Sequence, residues 1–122
     1  IRLSELSIGI APLVIAPAVE RKIGKAALAE LAFAPNEWKN AYWAKEKGLF
    51  SKVYEEVKEM DKEMDFFLQK MSSYNPNALV KMKRALWEGC EHWDSLLMER
   101  AEQSGQLALS QETKKSLIAF KK

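Results

Sequence analysis

Glu5 is the side chain of this sequence best placed to move a proton. Ile1 and Leu3 alternate with Arg2 and Ser4 ahead of it, and Gly9 breaks the run four residues later. The alternation predicts a half-buried strand over Ile1 to Ser4. A carboxylate at a strand end, beside a glycine-marked loop, stands on a rigid support and can face a cleft. General acids and bases are often placed this way. Leu3, Leu6 and Ile8 are the apolar neighbours of Glu5 and could desolvate it. From the residues alone a second reading stays open: a rim carboxylate bonded to a loop amide, the commoner fate of such a group.

Other chemistry-bearing residues point to less. Cys90 and His92 lie in EGCEHWD with Glu88, Glu91 and Asp94. A zinc site takes about four ligands at helix or knuckle spacing, and one Cys with one His does not meet that. No metal is expected there; the segment reads as a polar turn between helices with a buried thiol. No Ser or second Cys stands at a recognisable distance from His92, so a catalytic triad has no support. The Trp residues at helical spacing read as core or interface anchors. Lys81, Lys83 and Arg84 read as a solvated basic face.

The elements that must position Glu5 are mostly helical. Pro12 suits a first helical turn. A helix from there toward Lys22 should kink at Pro17 and end at Gly24, with a second from Lys25 to Phe33. Ala34 to Asn36 form a turn, with Asn36 as N-cap of a helix from Glu37 to Lys47 that stops at Gly48. A short strand is expected at Lys52 to Tyr54. Val57, Met60, Met64, Phe67, Leu68 and Met71 then form an apolar stripe opposite Lys58, Glu59, Lys62, Glu63 and Gln69. Asn75 and Pro76 open a helix bearing Leu79, Met82 and Leu86. A break near Gly89 leads to a helix with Trp93, Leu96, Leu97 and Ala101. Ser110 caps a last one, with Leu117, Ile118 and Phe120 inward.

Composition bounds the function. A length of 122 residues is one domain's worth of chain, and 48% hydrophobic with 30% charged residues fits a globular protein. The net charge of +2 gives no footprint for nucleic acid or an anionic membrane. A lone cysteine excludes an internal disulfide framework and fits a reducing, cytoplasmic setting. The densest apolar run, Ile8 to Val19, carries Gly9, Pro12 and Pro17 and is too short to span a bilayer.

The order of motifs resembles the later half of the crotonase superfamily, the enoyl-CoA hydratases and isomerases. Their pattern of a small residue or Pro, Glu, aliphatic, variable, aliphatic, Gly, and a Pro three residues on is met by Ser4, Glu5, Leu6, Ser7, Ile8, Gly9 and Pro12. Arg21, Ile23 and Gly24 echo the next landmark. Ala44 followed by Gly48, Leu49 and Phe50 echoes another, and Pro76, Ala78 and Lys83 a further one. Ala119, Phe120, Lys121 and Lys122 are similar to the family's closing helix. The resemblance covers almost the whole chain. Two departures stand out. After Pro12 the family pattern is glycine-rich, where this chain has Leu13, Val14, Ile15, Ala16 and Pro17. Lys115 and Ser116 replace the usual Glu-Gly pair.

The resemblance implies a mostly α fragment of an α/β fold, a spiral of ββα turns. Residues 1–56 would close the spiral core with its last strands, and residues 57–122 would form a helical cover and trimerisation region. It implies that an N-terminal half outside this sequence supplies the remaining sheet, the two N–H groups that hold the thioester oxygen and a second glutamate. Glu5 matches the proton-donating glutamate of hydratases; in isomerases a carboxylate here can shuttle the proton alone. Gly9, Ile10, Pro12 and Leu13 would line the acyl pocket, bulkier than usual after Pro12. Phe120 and Lys121 would approach the adenine and 3′-phosphate of coenzyme A. The substrate would be an acyl-CoA thioester with no separate cofactor, and the assembly a homo-oligomer, trimer or hexamer. The alternative is a non-catalytic helical oligomerisation or adaptor domain in which Glu5 has no chemical role.

Overall fold

The computed structural model describes residues 1–120, which form helices joined by short turns and no strand among the described residues. A 3₁₀ turn, Glu5–Ile8, comes first. Six helices follow: α1 Ala16–Phe33, α2 Ala41–Glu46, α3 Val57–Ser72, α4 Pro76–Leu86, α5 Trp93–Leu109 and α6 Gln111–Phe120. The mostly helical character agrees with the periodicity, whereas the expected strands are absent.

Both strand expectations fail for one reason. A strand is stable only where its amides find a neighbour. Ile1 does find one residue: Lys39 N–H donates to Ile1 O at 2.9 Å, and the Ile1 nitrogen donates to Lys39 O at 2.7 Å. That reciprocal pair does not propagate, and by Glu5 the backbone has curled into the 3₁₀ turn. The Lys52 to Tyr54 segment has no strand partner among the described residues.

The described chain divides into two compact units, residues 1–51 with 94–122, and residues 52–93. The expected division at 56/57 falls inside the second of these. In the first unit the 3₁₀ turn packs against both α1 and α6. Its apolar core is small: Val19, Ala27, Leu31 and Ala44. Ala27 and Leu31 are four apart and share a helix face. Pro17 sits in the first turn of α1, where its missing N–H costs nothing, so it does not kink the helix as expected. The kink is at Gly24, whose φ of 75° and ψ of 167° no helical residue adopts.

Helix α2 also starts later than expected. Asn40, not Asn36, is its N-cap, and Asn40 Oδ1 accepts from Trp43 N–H at 2.9 Å. Residues ahead of it cannot join the helix, because both backbone groups of Lys39 are engaged by Ile1.

In the second unit Asn75 and Pro76 open α4 as expected: Asn75 Oδ1 accepts from the N–H groups of Asn77 and Ala78 at 2.9 and 3.3 Å. Lys52 Nζ pairs with Glu63 at 2.8 Å ahead of and along α3. Trp87 and Trp93 meet edge to face at 5.6 Å. No residue of this unit is buried. No helix among the described residues is long and apolar enough to cross a membrane.

Candidate functional site

Glu5 opens the 3₁₀ turn and is half-buried. Its Oε2 is closed off from solvent and has no hydrogen-bond partner. A buried acceptor left unpaired is costly, and in native proteins it calls for an explanation such as a catalytic role. Of the apolar neighbours expected to surround it, Leu3 and Ile8 are half-buried while Leu6 is exposed.

The turn closes on Gly9, which adopts φ 82°. Its N–H donates to Leu6 O at 3.2 Å, and Ile10 N–H donates to Glu5 O at 3.0 Å. Positive φ favours glycine here. Packing demands it as well: a Cβ on Gly9 would lie 2.8 Å from Thr113 Oγ1 and 3.1 Å from Thr113 Cα. The second distance is to backbone, so no side-chain rotation could relieve it.

Two side chains from the C-terminal helices grip the loop that follows Glu5. Thr113 Oγ1 donates to Gly9 O at 2.8 Å, across 104 residues of sequence. Arg100 donates to Leu13 O at 3.2 Å, across 87. Between these points Pro12 O accepts from Ala16 N–H at 3.1 Å and so starts α1. Glu5, Gly9, Ile10, Pro12 and Leu13 are thus held on one connected loop. Phe120 closes α6, the helix that carries Thr113. Lys121 and the side chain of Phe120 lie outside the described residues, so that part of the expected site has no geometry.

The segment leading into Glu5 is fixed from the other side. Lys39, which holds Ile1 through its backbone, extends its Nζ to Glu30 at 2.8 Å and Glu37 at 2.9 Å. Trp43 Nε1 also donates to Glu30, at 3.1 Å. Hydrogen bonding to Lys39 holds the Glu30 carboxyl below the usual range, and its bonds to Glu30 and Glu37 push the Lys39 ammonium up. The Arg2 guanidinium lies 4.7 Å above the Trp38 ring.

Thr113 and Arg100 were not singled out by the sequence reading. Ser110 was, as a cap, and it does accept from Thr113 N–H at 3.2 Å. The spacing Ser-x-x-Thr was the available signal, since a hydroxyl at the third position after a cap can accept from the cap's own hydroxyl, as Thr113 Oγ1 does from Ser110 Oγ. Ser104 Oγ is a further buried hydroxyl without a partner.

Cys90 is half-buried with a free thiol. Beside it Glu91 Oε1 accepts from Gly89 N–H at 3.0 Å. Backbone N–H groups, its own first and then that of Gly89, lower the Glu91 carboxyl. No group of three or more His, Cys, Asp or Glu side chains stands close enough to hold a metal ion among the described residues.

No family model, no curated protein and no solved structure matches the chain.

Proposed function

We propose that this chain is the C-terminal part of an enoyl-CoA hydratase or isomerase of crotonase type, with Glu5 as the proton-transferring carboxylate. The observation that carries the reading is Glu5 Oε2, shielded from water and unpaired, on a turn braced at both ends. The order of motifs along the sequence supports it independently.

In a hydratase, water adds to the β-carbon of the enoyl thioester while a base removes one of its protons. Electron density moves onto the thioester oxygen, held by two N–H groups from the preceding segment. The proton on Glu5 then passes to the α-carbon, and the proton taken up by the base returns through water to the Glu5 carboxylate, which resets both groups. In an isomerase the Glu5 carboxylate instead takes a proton from the α-carbon and returns it to the γ-carbon. Either course needs one carboxyl oxygen turned toward the substrate and out of bulk water. Gly9, Ile10, Pro12 and Leu13 then form the wall against the acyl chain, and the bulk of Leu13 favours a short or flat acyl group. Phe120 and Lys121 meet the nucleotide end of coenzyme A. The thioester is the substrate, and the chemistry calls for no separate cofactor. A free thiol at Cys90 fits a cytoplasmic setting.

The exposed stripe on α3 supports assembly into a homo-oligomer, trimer or hexamer: Val57 is 68% exposed, Met64 52% and Phe67 55%. That same stripe favours the second reading, a non-catalytic helical oligomerisation or adaptor domain.

Turnover of a short trans-2-enoyl-CoA by the full-length protein separates the two. Glu5→Gln should lower kcat by 10²-fold or more, in the range typical of general acid-base groups. A loss smaller than about tenfold leaves the adaptor reading standing.

A further inference from the structure

We propose that Thr113 is a positioning residue for Glu5, acting through the single peptide unit between Gly9 and Ile10. This rests on the reading of Glu5 given above and adds a residue to it. The two ends of that peptide unit have separate partners. Its carbonyl, Gly9 O, accepts from Thr113 Oγ1 at 2.8 Å. Its N–H, on Ile10, donates to the carbonyl of Glu5 itself at 3.0 Å. A peptide unit is planar and rigid, so fixing its oxygen fixes the direction of its N–H. The hydroxyl on α6 therefore sets the backbone of the residue that bears the carboxylate.

The hydroxyl is in turn oriented. Ser110 Oγ donates to Thr113 Oγ1 at 3.1 Å, which leaves the Thr113 proton to point at Gly9. Ser110 Oγ is itself held by accepting from Thr113 N–H at 3.2 Å. The run from Ser110 to Thr113 to Gly9 is thus directed one way, and each bond polarises the next. Thr113 has no exposed surface, so water does not compete for the bond. The close approach at Gly9 excludes any side chain that would push the two apart. A surface threonine in the first turn of a helix needs none of these features.

The test uses the full-length protein and two readouts, steady-state kinetics on a short trans-2-enoyl-CoA and hydrogen exchange at the Ile10 amide. Thr113→Val keeps the shape and removes the hydroxyl. It should lower kcat about tenfold or more, because small misplacements of a reacting group cost 10–10²-fold. KM should stay within about twofold, since Thr113 touches no substrate, and Ile10 exchange should quicken by about tenfold. Thr113→Ser should restore both. Equal losses in Thr113→Val and Thr113→Ser would overturn the proposal, because they would trace to the packing of the site and not to the hydroxyl that serine keeps. If Thr113→Val does not fold, Ser110→Ala decides. It keeps Thr113 but removes the donor that aims it, so kcat should drop a few-fold with faster Ile10 exchange, and no change in either overturns the idea. Glu5→Gln in the same assay separates the two levels. With Glu5→Gln inactive and Thr113→Val unslowed, the positioning role is wrong and the reading of Glu5 stands. With Glu5→Gln fully active, the reading of Glu5 is wrong and the positioning role goes with it.

Discussion

The two units of this chain stabilise themselves by opposite means. Residues 1–51 and 94–122 bury Val19, Ala27, Leu31 and Ala44 and tie distant segments together through Thr113, Arg100 and Lys39. Residues 52–93 have helices at least as regular, yet bury nothing. Their apolar side chains form a stripe on α3 that meets water. Isolated helices of this length are marginal, because most helical stability comes from packing an amphipathic face. The first unit therefore depends on a few specific internal contacts, and the second on whatever covers its stripe. Substitutions in the two should behave differently, and the contrast can be broken at three places.

The largest effect is expected at Gly9. Gly9→Ala must hold a non-glycine residue at φ 82° and place a Cβ 3.1 Å from the Thr113 backbone. The left-handed region costs about 1–2 kcal/mol and the overpacking about 1–3 kcal/mol more. A loss of about 3 kcal/mol in urea denaturation, followed through Trp43 in the first unit, is the expected outcome. A loss under about 1 kcal/mol would mean that α6 yields easily, and that the first unit is no more rigid than the second.

Phe67→Glu tests the other unit. It places a charge in the middle of the α3 stripe, where Phe67 is 55% exposed. In a monomer the change should be nearly silent, within about 0.5 kcal/mol, as for most surface positions. If further copies of the chain cover the stripe, burial of the ring is worth about 2 kcal/mol per site, and its loss should dissociate the assembly. Light scattering on the full-length protein distinguishes these outcomes. A mass unchanged from that of an oligomeric parent would remove the stripe from the interface.

What the sequence made legible follows the same division. Signals that act within a few residues were readable. The cap at Asn75, the proline after it, the stop at Gly48 and the break at Gly89 depend only on local backbone preference. The stripe on α3 was readable as a period, though not its exposure, since periodicity does not say whether a partner is present. Signals that depend on a distant partner were misread. Ile1 to Ser4 alternate like a strand, but only Ile1 is paired, by a residue 38 positions away. Asn36 and Asn40 are equivalent as caps in sequence, and Lys39 decides between them by giving its backbone to Ile1. Within the candidate site, Glu5 and Gly9 stood out by type and spacing. Thr113 and Arg100 did not, because a threonine or arginine on a helix is unremarkable until the loop it holds is known.

The smallest expected effect lies in the ion pair that braces Lys39. Glu30 is lowered chiefly by its bond to Lys39, and Lys39 is raised chiefly by the same bond. A carboxyl lowered in the folded state adds stability above its unfolded value, and that stability fades as pH falls through the folded one. An ammonium raised in the folded state adds stability below its unfolded value, lost as pH rises through the folded one. Glu30→Gln should therefore lie below the parent in melting temperature by a constant margin between about pH 5 and pH 10, using ordinary Glu and Lys values as limits. The margin should close on acidification below about pH 4 and again on strong alkalinisation. It should be small and shrink with added salt, since the pair borders solvent. No margin at any pH would show that Glu30 acts through its bond from Trp43 Nε1, which a protonated carboxyl or an amide can still accept. The brace on the first unit would then be an ordinary hydrogen bond, and its resistance to pH would match that of the Thr113 bond at the other end of the loop.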